Sequence, residues 1–309
     1  MIKNHVSVVM SAYNSEDTIA DSILSIMNQS YKDWELLLVN DFSSDNTLDI
    51  IEKYAATDSR IKVINNEKNM GLTVSLNRAI NVSNGEFIAR LDSDDLAEPQ
   101  RLEKQVAFLV SNPDVGMVGS GANLINKTGK KIGNMDVISN DYIISKFINY
   151  LNPFIHSTIM IRKCVLDEVG GYREKFRYSQ DYDLILRIYD RYAAVNMPEH
   201  LISWRVSEGS ITMQNNTLQR IFADIAKQFA SERRINGIDS YDSIDFDIII
   251  SETEYTNKGR YLCDNGVYNI LFKRNCKAGI SDLLKGFSKG GFPANSFYRF
   301  LILTFSKIA

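Results

Sequence analysis

Short apolar runs alternate with stretches of helical periodicity through the first ninety residues of this chain. Residues 6–10, 35–39, 61–64 and 87–91 are mostly apolar runs of the length expected for buried strands. Between them, apolar positions recur every three or four residues over 17–28, 44–54 and 72–82, which predicts three helices. Ser43 or Ser44 is placed to cap the second. This βαβαβαβ order predicts a mostly parallel sheet with helices on both faces and right-handed crossovers.

The pattern then becomes mixed. A helix is predicted over 101–110, ended by Pro113, and a strand over 115–119. Strands over 122–125 and 131–135 flank the turn sequence at 126–130, so a β-hairpin is expected there. A strand over 157–161 leads into a helix over 162–169, which Gly170 and Gly171 end. Residues 181–192 carry Leu184, Ile185, Ile188 and Tyr192 at helical spacing, and 195–197 and 201–206 read as closing strands. Near residue 210 the character changes to helices over 218–235, 257–272, 280–288 and 295–307, separated by glycines. A domain boundary is therefore expected at about residue 212.

Charge sharpens that division. The whole chain has a net charge of −3, which argues against nucleic acid as a partner. From Lys258 onward, however, nine Lys and Arg face two Asp, a local charge of +7 that leaves −10 on the preceding residues. A basic tail points to an acidic partner such as phospholipid or a phosphorylated acceptor. Phe297, Tyr298, Leu301, Ile302 and Phe305 would share one helical face with Arg299 and Lys307 at its edges. Such a face either lies in a membrane interface or packs on protein, this domain or a second subunit. Three cysteines without CxxC spacing and only three histidines argue against a disulfide framework or a zinc site. With no signal-peptide pattern and no run of 18 apolar residues, the expected location is cytoplasmic, peripheral at the inner face of the cell membrane if the tail binds lipid.

The candidate chemistry lies where the fourth strand ends. Leu91 is followed by Asp92, Ser93, Asp94 and Asp95. Adjacent carboxylates raise one another's pKa, and a hard divalent cation removes that repulsion. Mg²⁺ or Mn²⁺ in such a place shares its coordination with substrate phosphates. In a parallel α/β sheet, ligands gather at the carboxyl ends of strands. The segment therefore reads either as a metal–diphosphate site or as a solvated acidic turn capping a helix that Pro99 enters.

Four other segments join this one. They are Val6-Ser-Val-Val-Met-Ser-Ala-Tyr-Asn14, Val39-Asn-Asp-Phe-Ser-Ser-Asp-Asn-Thr47, Asn69-Met-Gly-Leu-Thr-Val-Ser-Leu-Asn-Arg78 and Ser179-Gln-Asp-Tyr-Asp-Leu-Ile-Leu-Arg187. In order and spacing, over roughly residues 5–210, they resemble the inverting glycosyltransferases of family 2. The resemblance implies the GT-A nucleotide-diphospho-sugar transferase fold, with a nucleotide-binding half of about 1–98, an acceptor half of about 99–212, and a basic helical extension over 213–309. It implies a nucleotide-diphosphate sugar donor and Mn²⁺ or Mg²⁺.

On that resemblance, Asp41 accepts a hydrogen bond from a uracil imide, and the ring of Tyr13 packs on the base. Ser11 and the backbone at Ala12 add polar contacts, with serine where the family usually has proline. Gly71, after Asn69, lets the backbone approach the nucleotide. Asp94 holds the metal, while Asp92 holds the ribose or a metal-bound water, with Ser93 between them. Arg205, after Trp204, meets the diphosphate. Asp181 deprotonates the acceptor hydroxyl, with Gln180 where the family commonly has Glu, and Ser207 stands where a metal-side histidine often occurs. His156, Gly171, Tyr172 and Gln180 belong to the acceptor side. The donor expected is a UDP-sugar, dTDP sharing the same imide edge. The acceptor expected is a saccharide or lipid-linked saccharide in cell-surface polysaccharide synthesis. A nucleotidyltransferase and a non-catalytic nucleotide-sugar binding module are the alternatives, and an oligomer is compatible with the sequence.

Overall fold

The computed structural model describes residues 1–206, 216–248 and 276–287. The expected helices over 257–272 and 295–307, the boundary near 212 and Ser207 lie outside them. The chain divides into two compact units, one of residues 1–214 with 219–240, the other of residues 215–218 with 241–309.

The first unit is built on a mixed sheet of nine strands among the described residues. Strands β1 (Ile2–Ala12), β2 (Trp34–Asn40), β3 (Ile61–Asn65) and β4 (Gly85–Arg90) are all parallel, in the order β3-β2-β1-β4. Helices α1 (Ile19–Met27), α2 (Thr47–Ala55) and α3 (Leu72–Asn81) connect them. Every residue of β2 is buried, as expected of a central strand covered on both faces. Helix α2 begins at Thr47, later than either serine would place it, because the Asp45 carboxylate takes the Thr47 amide at 3.0 Å and turns the chain first.

Beyond β4 the sheet turns mixed. A two-residue strand β5 (Leu96–Ala97) precedes α4 (Arg101–Ser111), so the aspartates do not run directly into a helix. The long strand β6 (Val115–Ile125) forms the expected hairpin with β7 (Lys131–Met135). The turn between them is closed by the Asn126 side chain and by Gly129 at φ +79°. Helix α5 (Asp141–Phe147) is one the apolar pattern does not show. Residues 156–158 form a single 3-10 turn where a strand is expected, followed by β8 (Met160–Arg162), which runs antiparallel between β4 and β6. Helix α6 (Lys163–Val169) ends on Gly170 at φ +84°, and α7 (Gln180–Tyr189) and β9 (Ala193–Arg205) complete the sheet. Helix α8 (Asn216–Asn236) packs on this unit from Gln219 onward.

At the N-terminal ends of the parallel strands, Glu35 is buried and fully partnered. It accepts bonds from Ser7 Oγ (2.6 Å), Lys62 Nζ (2.7 Å) and the Asn84 amide (2.7 Å). Burial alone would raise its pKa, but these bonds hold it at about 2.

In the second unit, the Tyr241 and Phe246 rings meet edge to face, and a helix α9 (Cys276–Phe287) exposes Ile280 and Leu284. No helix among the described residues is long and apolar enough to cross a membrane.

Candidate functional site

The candidate residues meet at the C-terminal ends of β1, β2 and β4, with α7 and the segment before β8 opposite. The loop after β2 is organised by Asp41. Its buried carboxylate accepts the Met70 amide (2.7 Å), the Gly71 amide (2.8 Å) and Asn66 Nδ2 (2.6 Å). Among the described residues Oδ2 takes only the Gly71 bond, so it keeps acceptor capacity. Gly71, at φ +84°, supplies a conformation that L side chains avoid, and a Cβ there would meet nothing within 4 Å. Asp41 donates its own amide to the Ala12 carbonyl at 2.8 Å, tying the ends of β1 and β2 together.

The loop after β1 crosses onto the same place. The Asn14 side chain accepts the Ser44 amide (2.9 Å), and Ser43 Oγ accepts the Asn14 amide (3.1 Å). Ser11 is half-buried and Tyr13 is 51 % exposed, free to present its ring. Asn69 is exposed with no hydrogen bond among the described residues, and the asparagine that holds this turn is Asn66. Asn66 follows β3 as Asp41 follows β2, which is the one signal in the sequence that could have found it. Asn14 and Phe42 have φ of +48° and +62°. Left-handed backbone is common for asparagine but strained for phenylalanine, and such strain gathers at functional loops.

The acidic loop is held from several sides. Ser93 Oγ meets Ser15 Oγ at 3.0 Å, and its carbonyl accepts Thr18 Oγ1 (3.0 Å) and Ser22 Oγ (2.9 Å) from the start of α1. Asp92 pairs with Arg90, and its amide donates to Ser157 Oγ at 2.9 Å. Burial would raise the Asp92 carboxyl, but the charge of Arg90 lowers it. Asp94 has no such partner among the described residues. Burial and the charge of Asp92 push it up to about 6. Asp95 is fully buried, raised further by burial and by both neighbours, and its Oδ2 has no partner among the described residues. It does not cap a helix; its Oδ1 accepts the Arg205 amide at 2.9 Å.

Arg205 differs from the expectation of a free guanidinium fork. It is buried, with Nε on the Asp94 carbonyl (2.9 Å) and Nη1 on the Lys127 carbonyl (2.8 Å). Its head fixes the acidic loop to the hairpin turn. Arg90 is also buried, and its Nε and Nη1 have no partners among the described residues.

Opposite lies Asp181, the second residue of α7. Asn152 Nδ2 donates to its Oδ2 at 2.8 Å. Burial raises the Asp181 carboxyl to about 6, and the charge of Asp92 adds to that rise, so the two carboxylates act on one another across the site. Gln180 opens the helix, half-buried. His156 Nε2 meets the Tyr172 hydroxyl at 2.7 Å, and burial with the nearby Arg90 charge lowers the ring to about 3, leaving it neutral. His156 is half-buried. Tyr172 is buried, and burial raises its hydroxyl. Gly171, at φ +64°, gives its carbonyl to Arg187 Nη2 at 2.7 Å.

The acidic loop fits a hard divalent cation in its donor chemistry. Its three crowded carboxylates include Asp94, raised by burial and by the charge of Asp92 and without an ion pair among the described residues, and a cation beside Asp92 and Asp94 would offset that repulsion. No group of three or more His, Cys, Asp or Glu among the described residues is arranged to hold a metal alone. Asp94 and Asp92 would therefore hold it together with oxygens from outside the protein.

The pattern of glycosyl transferase family 2 matches residues 7–170. The chain is 41 % identical over 210 residues to a Bacillus subtilis (strain 168) protein described as the glycosyltransferase EpsE, covering 66 % of this chain and 73 % of EpsE. It is 33 % identical over 216 residues to the Escherichia coli UDP-Glc:alpha-D-GlcNAc-diphosphoundecaprenol beta-1,3-glucosyltransferase WfgD, covering 67 % of this chain and 79 % of WfgD. Among solved structures, residues 1–349 of S. aureus TarS in complex with UDP-GlcNAc superpose with a TM-score of 0.61 at 18 % identity, covering 94 % and 93 % of the two chains. The Pyrobaculum calidifontis mannosyltransferase PcManGT with GDP-Man and Mn2+ gives 0.57 at 18 %, covering 99 % and 80 %. These two likenesses concern the fold, which is GT-A. Together with the strand-end loops described above, the match over more than half of its length means that this chain belongs to glycosyl transferase family 2.

Proposed function

We propose that this glycosyltransferase moves a sugar, with inversion, from a UDP-sugar to a hydroxyl of a saccharide or lipid-linked saccharide during surface-polysaccharide synthesis. The observation that supports this reading is that Asp181, held by Asn152 at the start of α7, lies close enough to the acidic loop for the charge of Asp92 to raise it. Asp94 and Asp181 are both raised to about 6, Asp94 by burial and a neighbouring carboxylate, Asp181 mainly by burial at a helix start. One suits a cation, the other a proton.

The residues divide the work as follows. Tyr13 covers one face of the base, and Asp41 Oδ2 accepts its imide N–H while its other bonds keep the Gly71 turn in place. Asp92 and Asp94 would hold Mn²⁺ or Mg²⁺, which when bound neutralises charge on the departing nucleotide diphosphate. Asp181 takes the proton of the acceptor hydroxyl as oxygen attacks the anomeric carbon from the side opposite the diphosphate. A carboxylate near pH 6 is ionised at neutral pH and still a better base than an ordinary aspartate. Asn152 holds it in one orientation.

The UDP donor and lipid-linked acceptor rest on WfgD, named for both, and on TarS, solved with UDP-GlcNAc. PcManGT, solved with GDP-Man and Mn2+, supports the metal. The basic C-terminal residues would then meet the anionic inner face of the membrane. Asp181→Asn tests the mechanism. Transfer should fall by about a thousandfold while calorimetric UDP binding stays within about twofold. Transfer at the wild-type rate would refute the assignment of the base.

A further inference from the structure

Ser179, the N-cap residue of α7, has φ +51° and ψ 27°, a left-handed conformation unfavourable to a residue with a Cβ. Its side chain does not cap its own helix. Its Oγ instead donates to the Gln219 carbonyl at 2.7 Å, forty residues on, at the start of the part of α8 that packs on this unit.

The same helix grips the loop before α7 with aromatic rings. Phe222 meets Phe176 edge to face at 5.8 Å and Tyr178 at 5.6 Å, and Phe229 meets Phe176 at 6.1 Å. Charges secure its far end. Arg233 Nε donates to Asp190 Oδ2 at 2.8 Å, beyond the end of α7, and Arg233 Nη1 donates to Asp239 Oδ2 at 2.6 Å. Asp239 pairs in turn with Arg173 at 2.8 Å. On the other side, α3 holds the loop through Thr73 Oγ1 on the Phe176 carbonyl (3.0 Å) and Asn77 Nδ2 on the Tyr172 carbonyl (2.8 Å).

We infer that α8 is part of the catalytic apparatus, and that Ser179 is a positioning residue held by the Gln219 carbonyl so that Asp181 faces the acceptor hydroxyl. The inference rests on the reading of Asp181 as the base. Left-handed backbone at Ser179 sets the direction in which α7 starts, and so where its second residue points. A hydroxyl bond to a helix from outside the α/β core maintains that backbone where local preference would release it. The donor loops after β1 and β2 have no part in this contact.

The test uses the full chain with UDP-sugar, acceptor and Mn²⁺. Ser179→Ala removes the bond and keeps the Cβ. It should lower kcat by about ten- to a hundredfold, since small misplacements of a base are expensive, with donor KM and UDP Kd within about twofold. Ser179→Asn, which tolerates left-handed backbone and can donate from Nδ2, should recover kcat to within about threefold of wild type. Phe222→Leu loosens α8 on the loop with little loss of apolar volume and keeps the test alive if Ser179→Ala folds poorly. It should also lower kcat without changing UDP Kd. Wild-type kcat in Ser179→Ala, or a loss of UDP binding as large as the loss of kcat, overturns the inference. Asp181→Asn, measured alongside, separates the two failures. If it is inactive while Ser179→Ala is fully active, the base stands and the strut falls; if it is active, both fall.

Discussion

Two acidic sites occupy opposite ends of the same parallel strands. Glu35 sits near the N-terminal end of β2, level with Ser7 and Ile88, and Asp92, Asp94 and Asp95 lie beyond the C-terminal end of β4, with Asp92 about 13 Å further along at roughly 3.3 Å per residue. Both sites are substantially buried, yet burial has opposite outcomes. Glu35 receives a hydroxyl, an ammonium and an amide, and is held at about 2. Asp94 receives no side-chain partner among the described residues, feels the charge of Asp92 and is pushed to about 6. A carboxylate satisfied within the protein is part of the scaffold. One left in conflict with its neighbours is a candidate for function, and it is where the proposed reading places the cation.

The largest test of this contrast removes charge from the unsatisfied end. Asp94→Asn should lower transfer by about a hundredfold, with donor binding no longer responsive to Mn²⁺. Thermal unfolding of the metal-free protein should be unchanged or higher, because a like charge has gone from beside Asp92. The sign follows from linkage. A carboxyl raised in the folded state binds protons more tightly there, so metal-free stability falls as pH rises from about 4 to 6. Asp94→Asn should flatten that decline. A marked drop in melting temperature would mean that Asp94 belongs to the scaffold after all.

Asp41 is the intermediate case, buried and bonded yet with one lone pair to spare. Asp41→Asn sets an NH₂ against the Gly71 amide or against the donors at Oδ1. Donor KM should rise about tenfold as the turn loosens, with a smaller change in kcat and a loss of about 1–3 kcal/mol in urea unfolding. An unchanged KM would detach this turn from the nucleotide.

How much of this was readable in advance depends on chain separation. The parallel half, with its strand-end aspartates and Gly71, was legible because each feature is written in a few consecutive residues. The acceptor half was less so. Strands β6 and β9 were each expected as two pieces, broken at Gly119–Gly121 and near Pro198. The sheet keeps both whole by shifting register at Ser120, Gly121 and Ala122. Arg205 was expected at the diphosphate, but its position in the sequence could not reveal the carbonyls of Asp94 and Lys127 that engage it. Asn66 on Asp41, Asn152 on Asp181 and Gln219 on Ser179 were invisible for the same reason: each links residues 25 to 40 apart through contacts that no local pattern encodes.

The smallest effect on activity is expected at the satisfied end. Glu35→Gln keeps the size and one acceptor, but leaves Lys62 without its anion and presents an NH₂ to donors from Ser7 and Asn84. At pH 7 this should cost about 2 kcal/mol of stability, because hydrogen bonds to a buried charge are among the stronger ones. The pH dependence runs opposite to that at Asp94. Glu35 is depressed from 4.5 to about 2 on folding, so the unfolded chain binds the extra proton between those values. Its contribution is therefore complete above about pH 4.5 and is lost as pH falls towards 2. Urea titrations of wild type and Glu35→Gln should diverge above pH 4.5 and converge near pH 2, while transfer per folded molecule at pH 7 stays the same. If transfer drops along with stability, the two ends of the sheet are coupled and the division between scaffold and site is false.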